Sequence, residues 1–464
     1  MRNNFDSGTP FHVVVVGAGA SGTLVAAQFK RLAPHGRLAL IGNADRPARG
    51  VAYETLYQSN LLNVAASKMS AFPHDMDHFV SWLKSRLPKA DVGTFAPRLL
   101  YGEYLAQIFD ETVDGSKNVE YIPGLAISVS RKHDLWTIRL DNGVSLEART
   151  VVLALGNLLP PSDPVDFSAV ASNYWRNPWA QDAARGIATD GSVLLVGTGL
   201  TMVDMALSLR EVGHRGTIHA ISRHGRLYQP HKAYKATPLL TVNVPEDFKS
   251  PVGALRWIRA EIKAAGKSGS DWSAVIDSLR PYTAAIWQGW NPAQRASFLR
   301  HARNLWDIHR HRMAPEIANQ LSILLEDRTL IIHHGRLVSA NPLGQEAVVT
   351  WRETGSNEIH TLNVARVVNC TGPSRDYSQI ESPLIAGLCA AGLIVVDALR
   401  LGFETDTDGR FIAAKGEAVQ GLFTLGPIRI SGLWESIAIP EIRNQALALA
   451  ELLVSETIES SILT

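Results

Sequence analysis

Apolar positions along the chain cluster in short unbroken runs, and two of these runs close on glycine. The first, Val13-Val14-Val15-Val16, leads into Gly17-Ala18-Gly19-Ala20-Ser21-Gly22. Helical spacing follows from Leu24 to Leu32, and then a further run from Leu38 to Ile41. Continuous apolar stretches of this length predict strands buried on both faces, as in a parallel sheet, so residues 11–42 read as one strand–helix–strand unit. The order repeats 180 positions later, where Val193-Leu194-Leu195-Val196 runs into Gly197-Thr198-Gly199-Leu200-Thr201-Met202 and strand character returns by Ile221. Between the two units, alternation at Trp136-Thr137-Ile138-Arg139-Leu140 and the turn Asp141-Asn142-Gly143 predict an antiparallel hairpin. A buried strand at 151–155 follows it. Residues 250–326 read as helical and aromatic, and strands return at 329–340 and 346–352. The run Val367-Val368-Asn369-Cys370-Thr371-Gly372 echoes Val151-Val152-Leu153-Ala154-Leu155-Gly156. The expected fold class is α/β: two Rossmann-like dinucleotide-binding domains, the second inserted in the first, with an additional helical subregion. The first domain is expected over 1–180 and 361–464, and the second over 181–360 with its helical insertion at about 250–326.

Gly17, Gly19 and Gly22 have the full G-x-G-x-x-G spacing between a strand and a helix. The first glycine lets the chain turn, the second admits a pyrophosphate, and the third packs helix on strand. Backbone N–H groups around Ala20 and Ser21 and the helix dipole then hold the anion. The acid usual at the end of the second strand is missing: Gly42 and Asn43 stand there with Asp45 beyond, so Asn43 or Asp45 is the candidate for the ribose hydroxyls. The second loop keeps Gly197, Gly199 and Thr201 but has Met202 at the third glycine position. Arg223 ends its following strand, where an acid would favour NAD and an arginine pairs with a 2′-phosphate; a solvated surface arginine is the alternative. Gly156 and Gly372, closing the two echoing runs, complete the candidate cofactor contacts. Two such loops in one chain imply two nucleotides and electron transfer between them, with FAD and NADPH as the expected pair.

Composition narrows the class. Apolar residues make up 46% and charged residues 19% of 464 positions, as in ordinary folded domains. A net charge of +1 provides no field for nucleic acid or an acidic membrane. With only Cys370 and Cys389, neither in a Cys-x-x-Cys pair, a disulfide framework and a dithiol relay are both excluded. No apolar run is long enough to span a membrane and the N-terminal valines are too few for a signal peptide, so the cytoplasm is the expected compartment. The five tryptophans Trp257, Trp272, Trp287, Trp290 and Trp306 read either as helical core or as a pocket wall. The adjoining His309-Arg310-His311-Arg312 suits a carboxylate, because guanidinium binds one bidentately, and Arg310 and Arg312 are the candidate substrate contacts. His309 and His311 are two apart, on different sides of a helix, so no metal site is expected.

The stretch Phe167…Tyr174…Trp179 resembles, in degenerate form, the fingerprint of class B flavin monooxygenases, with Ala169 at its glycine position. A fuller resemblance, to the FAD/NAD(P)-binding protein family, rests on several motifs. They are Arg49-Gly50-Val51-Ala52-Tyr53, Leu61-Leu62-Asn63-Val64-Ala65 and Met69-Ser70-Ala71-Phe72-Pro73. Trp306 to Arg312, Leu425-Gly426-Pro427, Leu433-Trp434-Glu435-Ser436 and Pro440-Glu441-Ile442-Arg443 complete the set. The resemblance implies that Asn63 and Met69 lie along the flavin ring, that Gly426 offers a backbone contact where many flavoproteins have an aspartate, and that Trp434 sits at the cofactor. Some relatives N-oxygenate amino acids. The expectation is therefore an NADPH-dependent flavin monooxygenase that forms a flavin hydroperoxide and N-oxygenates a small amino acid or related carboxylate, with O2 and a small molecule as its partners. A flavin reductase or oxidase acting on a quinone, and a non-catalytic nucleotide-sensing scaffold, are the alternatives. The flavin carries the chemistry, and no obligatory acid or base is legible.

Overall fold

The computed structural model describes residues 9–43, 45–114, 118–161, 163–232 and 246–462. Among them, two twisted sheets share the chain. In the first, strands run in the order 410–412, 418–424, 145–153, 11–16, 38–42 and 119–123. The antiparallel hairpin of Ala126–Lys132 and Leu135–Leu140 extends from Ser145–Leu153. Phe11–Val16 is parallel to both neighbours, Val14 facing Ala39 on one side and Val151 on the other. This double cover explains its unbroken valines, since both faces are buried. Helices Ala20–Leu32, Arg98–Val113 and Ile439–Ile462 pack one face through Leu24, Phe29, Tyr101, Leu105, Ile442 and Leu449. The other face is closed by helix Pro383–Ala390 and by Phe403 and Phe411.

The second sheet orders its strands 359–364, 346–353, 330–343, 218–222, 193–196, 366–369 and 174–175. This membership moves the expected domain edges. Tyr174–Trp175, assigned to the first domain with residues 1–180, and Arg366–Asn369, assigned with 361–464, both belong to the second sheet. The physical reason is that each sheet uses the same device. A buried apolar strand passes beside its glycine loop, so the apolar pattern at 367–372 marks a strand of this type without saying which sheet takes it. The strands that rejoin the first sheet come later, at 410–412 and 418–424, with helix Ile439–Ile462 behind them.

The helical insertion is also shorter than expected. Helix Pro315–Glu326 packs Ile317 and Leu321 into the core of the second domain, as the crossover between parallel strands Ile218–Ser222 and Leu330–Leu343. Helices Pro251–Lys267 to Arg303–Arg310 form the insertion proper. Its core of Phe248, Leu279, Trp287, Trp290 and Phe298 closes on Leu401, Ile430 and Trp434 of the first domain. The Trp287 indole N–H donates to the Ser431 carbonyl at 2.6 Å. The insertion therefore leaves the second domain and rests on the first.

Candidate functional site

The two glycine loops have the same backbone geometry. Gly17 and Gly197 sit at φ +114° and +116°. A Cβ would fall 2.2 Å from the Ala154 carbonyl at Gly17 and 2.5 Å from that of Cys370 at Gly197. Gly19 and Gly199 are extended caps at φ −84° and −83°, and the helices behind them carry neither a side-chain cap nor an acid in the first turn. The N–H groups of Ala20, Ser21 and Gly22 have no acceptor among the described residues, nor do those of Leu200 and Thr201. Unpaired N–H groups on a helix dipole, beside a glycine that leaves space, are what a pyrophosphate requires. Both loops fit one.

Their differences have local causes. A Cβ on Gly22 would lie 1.9 Å from the Gly17 carbonyl, so the first helix is pressed on its loop. Met202, at the matching position, carries a whole buried side chain into the second core. The acid missing after the second strand is excluded by space at Gly42, whose Cβ would meet that of Ala18 at 2.6 Å. Asn43 and Asp45 beyond it are exposed. Arg223 is exposed at the end of Ile218–Ser222, and its carbonyl accepts from Thr354 at 3.1 Å. Burial and the surrounding cations Arg226, Arg223, Arg336 and His334 lower the pKa of His224. The edge beside the second loop is therefore basic.

A cavity of about 720 Å³ lies where the two domains and the insertion meet. Asn63, Lys68 and Met69 line it from the first domain, Leu200, Thr201 and Asp204 from the second loop and its helix, and Asp277, Arg280, Arg310 and Arg312 from the insertion. The expected flavin stretch, second loop and arginine cluster are thus brought together. Gly156 and Gly372, at φ +68° and +85°, turn the chain so that Asn157 and Pro373 reach the same cavity. Asn63 accepts from His231 Nε2 through its carbonyl at 3.0 Å, and Met69 through its own from the Tyr101 hydroxyl at 2.9 Å.

Three expectations are corrected by the local packing. Arg310 and Arg312 do not offer an open fork to a substrate. Arg310 already holds Glu435 bidentately at 3.0 and 2.7 Å, and Arg312, 2% exposed, is paired with Asp277. Burial works against the Arg310 charge, and Glu435 outweighs it, keeping the guanidinium pKa raised. Trp434 turns away from the cavity at φ +60° and stacks on Trp287 at 4.7 Å, leaving Glu435 to line the cavity in its place. Gly426 lies against the first loop, where its Cβ would be 3.0 Å from Ser21 Oγ. Its backbone is engaged, however: its N–H donates to Gln445 and its carbonyl accepts from Ser436. The tryptophans of the insertion are core rather than walls of this cavity, Trp287 and Trp290 being buried together.

Sequence reasoning missed Lys68. Four arginines lining the cavity face four carboxylates: Arg98 with Asp204, Arg280 with Glu441, Arg310 with Glu435 and Arg312 with Asp277. Lys68 lines the same cavity and, among the described residues, has no carboxylate at ion-pair distance. The residue is exposed, yet desolvation of its amine with Arg280, Arg310 and Arg312 lowers its pKa against the opposing charge of Asp277. Its signal in the sequence was only its place between Asn63 and Met69. Desolvation of the half-buried His311 ring, with Arg310 beside it, lowers its pKa, and His309 donates to the Leu305 carbonyl at 2.7 Å. The one His–carboxylate cluster with ligand spacing among the described residues is Glu353, Glu358 and His360, and none of the three lines the cavity.

Two glycine loops of matching geometry, each beside a parallel strand of its own sheet, define the class: a two-domain, Rossmann-like flavoprotein fold. Residues 14–158 match the FAD-NAD(P)-binding family model and make up an FAD-NAD(P)-binding domain. The whole chain has the fold of FAD-dependent monooxygenases and oxidoreductases. It is similar to ornithine N-hydroxylase from Kutzneria sp. 744, solved with reduced FAD, NADP+ and L-ornithine, at 15% identity and TM-score 0.68, covering 97% of this chain and 100% of the other. L-lysine 6-monooxygenase from Pseudomonas syringae matches at 18% identity and TM-score 0.68, covering 96% and 99%. The FAD-bound cadaverine monooxygenase of desferrioxamine biosynthesis from Erwinia amylovora matches at 13% and 0.64, covering 96% and 95%. No curated protein matches by sequence. No helix among the described residues is long and apolar enough to cross a membrane.

Proposed function

We propose that this protein is an NADPH-dependent flavin monooxygenase that N-oxygenates the amine of a small carboxylate-bearing compound. The observation that carries the reading is one interdomain cavity that joins the Asn63–Met69 stretch to the start of the helix behind the second loop, Leu200 and Thr201, and whose charges balance except at Lys68. Gly17, Gly19, Ala20, Ser21 and Gly22 hold the FAD pyrophosphate, with Asn63 and Met69 beside its ring; Gly197, Gly199, Thr201 and Arg223 hold NADPH. FAD, when bound, supplies the activation of O2. Lys68 takes the substrate carboxylate, because an anion entering a partly dry cavity needs an unpaired cation. The Arg280–Glu441 and Arg310–Glu435 pairs tie the insertion to the first domain beside the cavity.

The reading is tested by supplying NADPH and O2 with a series of amino acids and diamines, and comparing hydroxylated amine formed with NADPH consumed. Product matching NADPH supports it. NADPH oxidation that yields only peroxide with every amine, or that reduces an added quinone, points to a reductase or oxidase; flavin that NADPH never reduces points to a scaffold. The cofactor choice has its own test. Replacing a charge-assisted phosphate contact costs about 1.5–3 kcal/mol, or ten- to a hundredfold in affinity. Arg223→Ala should raise the KM for NADPH by that factor and leave that for NADH unchanged. Equal losses with both cofactors would remove Arg223 from the phosphate site.

A further inference from the structure

The helix that follows the second loop, Leu200–Glu211, presents Asp204, Ser208 and Glu211 at spacings of four and three, on one face. The first domain engages all three. The Glu211 carboxylate accepts the backbone N–H groups of Gln58 and Ser59 at 3.0 and 2.8 Å. The Ser208 hydroxyl donates to Asn60 Oδ1 at 3.0 Å, and Asp204 faces Arg98 at 3.7 Å. Tyr57, from the same first-domain segment, is buried in the core of the second domain with Val193, Met202 and Met205, and its hydroxyl donates to the Gln181 carbonyl at 3.2 Å. The segment is braced within itself by Asn60 Nδ2 donating to Thr55 Oγ1 at 2.9 Å, and against the rest of the first domain by the Asn60 carbonyl accepting from the Arg98 N–H at 2.8 Å. Its far end, Asn63, lines the cavity opposite Leu200 and Thr201.

We infer that residues 55–63 form a strap that locks the second dinucleotide domain onto the first, and that Glu211, Ser208 and Tyr57 are positioning residues for electron transfer between the two bound dinucleotides. The inference rests on the proposed reading of both loops as nucleotide sites. A helix of this length is a rod of roughly 18 Å at about 1.5 Å per residue. Its N-terminus carries Gly199 and the open N–H groups, so a grip along its flank sets where the second nucleotide sits. Hydride transfer takes two electrons and a proton from NADPH, leaving NADP+, and a solvent proton completes the reduced flavin. It needs reacting atoms about 3–3.5 Å apart, and a 1 Å misplacement costs on the order of 100-fold. Partial burial works against the Glu211 charge, yet the donors of Ser59 and Gln58 outweigh it and hold its pKa below the ordinary range.

The experiment compares FAD-loaded wild type, Glu211→Ala, Glu211→Gln and the exposed control Arg215→Ala, each mixed anaerobically with saturating NADPH. Glu211→Ala should slow flavin reduction about 10- to 100-fold. The dissociation constant for NADPH and the flavin content should stay at wild-type values. Glu211→Gln, which keeps one acceptor oxygen, should fall between, and Arg215→Ala should match wild type. Amide hydrogen exchange supplies a readout independent of turnover: protection at Gln58 and Ser59 should drop in Glu211→Ala. Lost protection with a wild-type reduction rate overturns the inference, as does retained protection. Wild-type protein that NADPH does not reduce overturns the proposed function itself, a separate failure. Should Glu211→Ala not fold, Glu211→Gln reads the same comparison.

Discussion

Gly19→Glu is expected to purify as a folded, colourless protein. Gly19 is an extended cap at φ −84° and ψ −167°, a conformation open to any residue, and a Cβ there meets nothing nearer than the Gly50 Cα at 3.6 Å. The chain therefore tolerates the side chain. The bound pyrophosphate does not, because the carboxylate lands beside the open N–H groups of Ala20, Ser21 and Gly22 that the phosphates need. Opposed like charges cost several kcal/mol, and each 1.4 kcal/mol is about tenfold in affinity. The neighbouring glycines behave differently. Gly17→Ala and Gly22→Ala place a Cβ 2.2 and 1.9 Å from backbone carbonyl oxygens, so they should lower folded yield along with flavin. Flavin absorbance and far-ultraviolet circular dichroism on the same samples separate the two outcomes. Gly19→Glu protein that keeps stoichiometric FAD would remove this loop from the cofactor site.

The parts of the fold that were legible in the chain are those where one physical demand acts on consecutive residues. Strands buried on both faces must be apolar throughout, and a chain turning toward a phosphate must be glycine, so both strand–loop–helix units could be read directly. The domain edges could not, because Val367 to Asn369 satisfies the same demand in either sheet and only pairing with Val193–Val196 decides the matter. Charge pairing was hidden for a similar reason. Arg310 and Glu435 are 125 positions apart, and nothing local in Trp306 to Arg312 reveals that the guanidinium is already occupied. Trp434 shows the limit of motif transfer: its left-handed backbone sends the indole toward Trp287 and gives its neighbour Glu435 the cavity. Lys68 stood out only once the four arginines lining the cavity had each been matched with an acid.

Arg310→Gln should destabilise the protein, whereas Lys68→Ala should leave stability intact and weaken substrate use. Arg310 and Glu435 are 11% and 9% exposed, and removing one partner of such a pair strands the other charge at a cost of about 3–5 kcal/mol. The loss falls where the insertion meets the first domain, so Tm drops, while Arg310→Gln combined with Glu435→Gln recovers part of it because no charge is left unpaired. Lys68 holds no ion pair among the described residues, and its replacement resembles a surface change, within about 0.5 kcal/mol. What Lys68→Ala removes is the anchor for an incoming carboxylate, worth about 1.5–3 kcal/mol, so the KM for an amino-acid substrate rises ten- to a hundredfold and NADPH is spent on peroxide. A diamine with no carboxylate should be used equally well by Lys68→Ala and by wild type, because it never had that contact to lose. Thermal unfolding, substrate KM and the ratio of product to NADPH, measured on both variants, decide between the two roles. An Arg310→Gln protein of wild-type Tm whose KM alone has risen would return the carboxylate to the arginine cluster and leave Lys68 a solvated side chain.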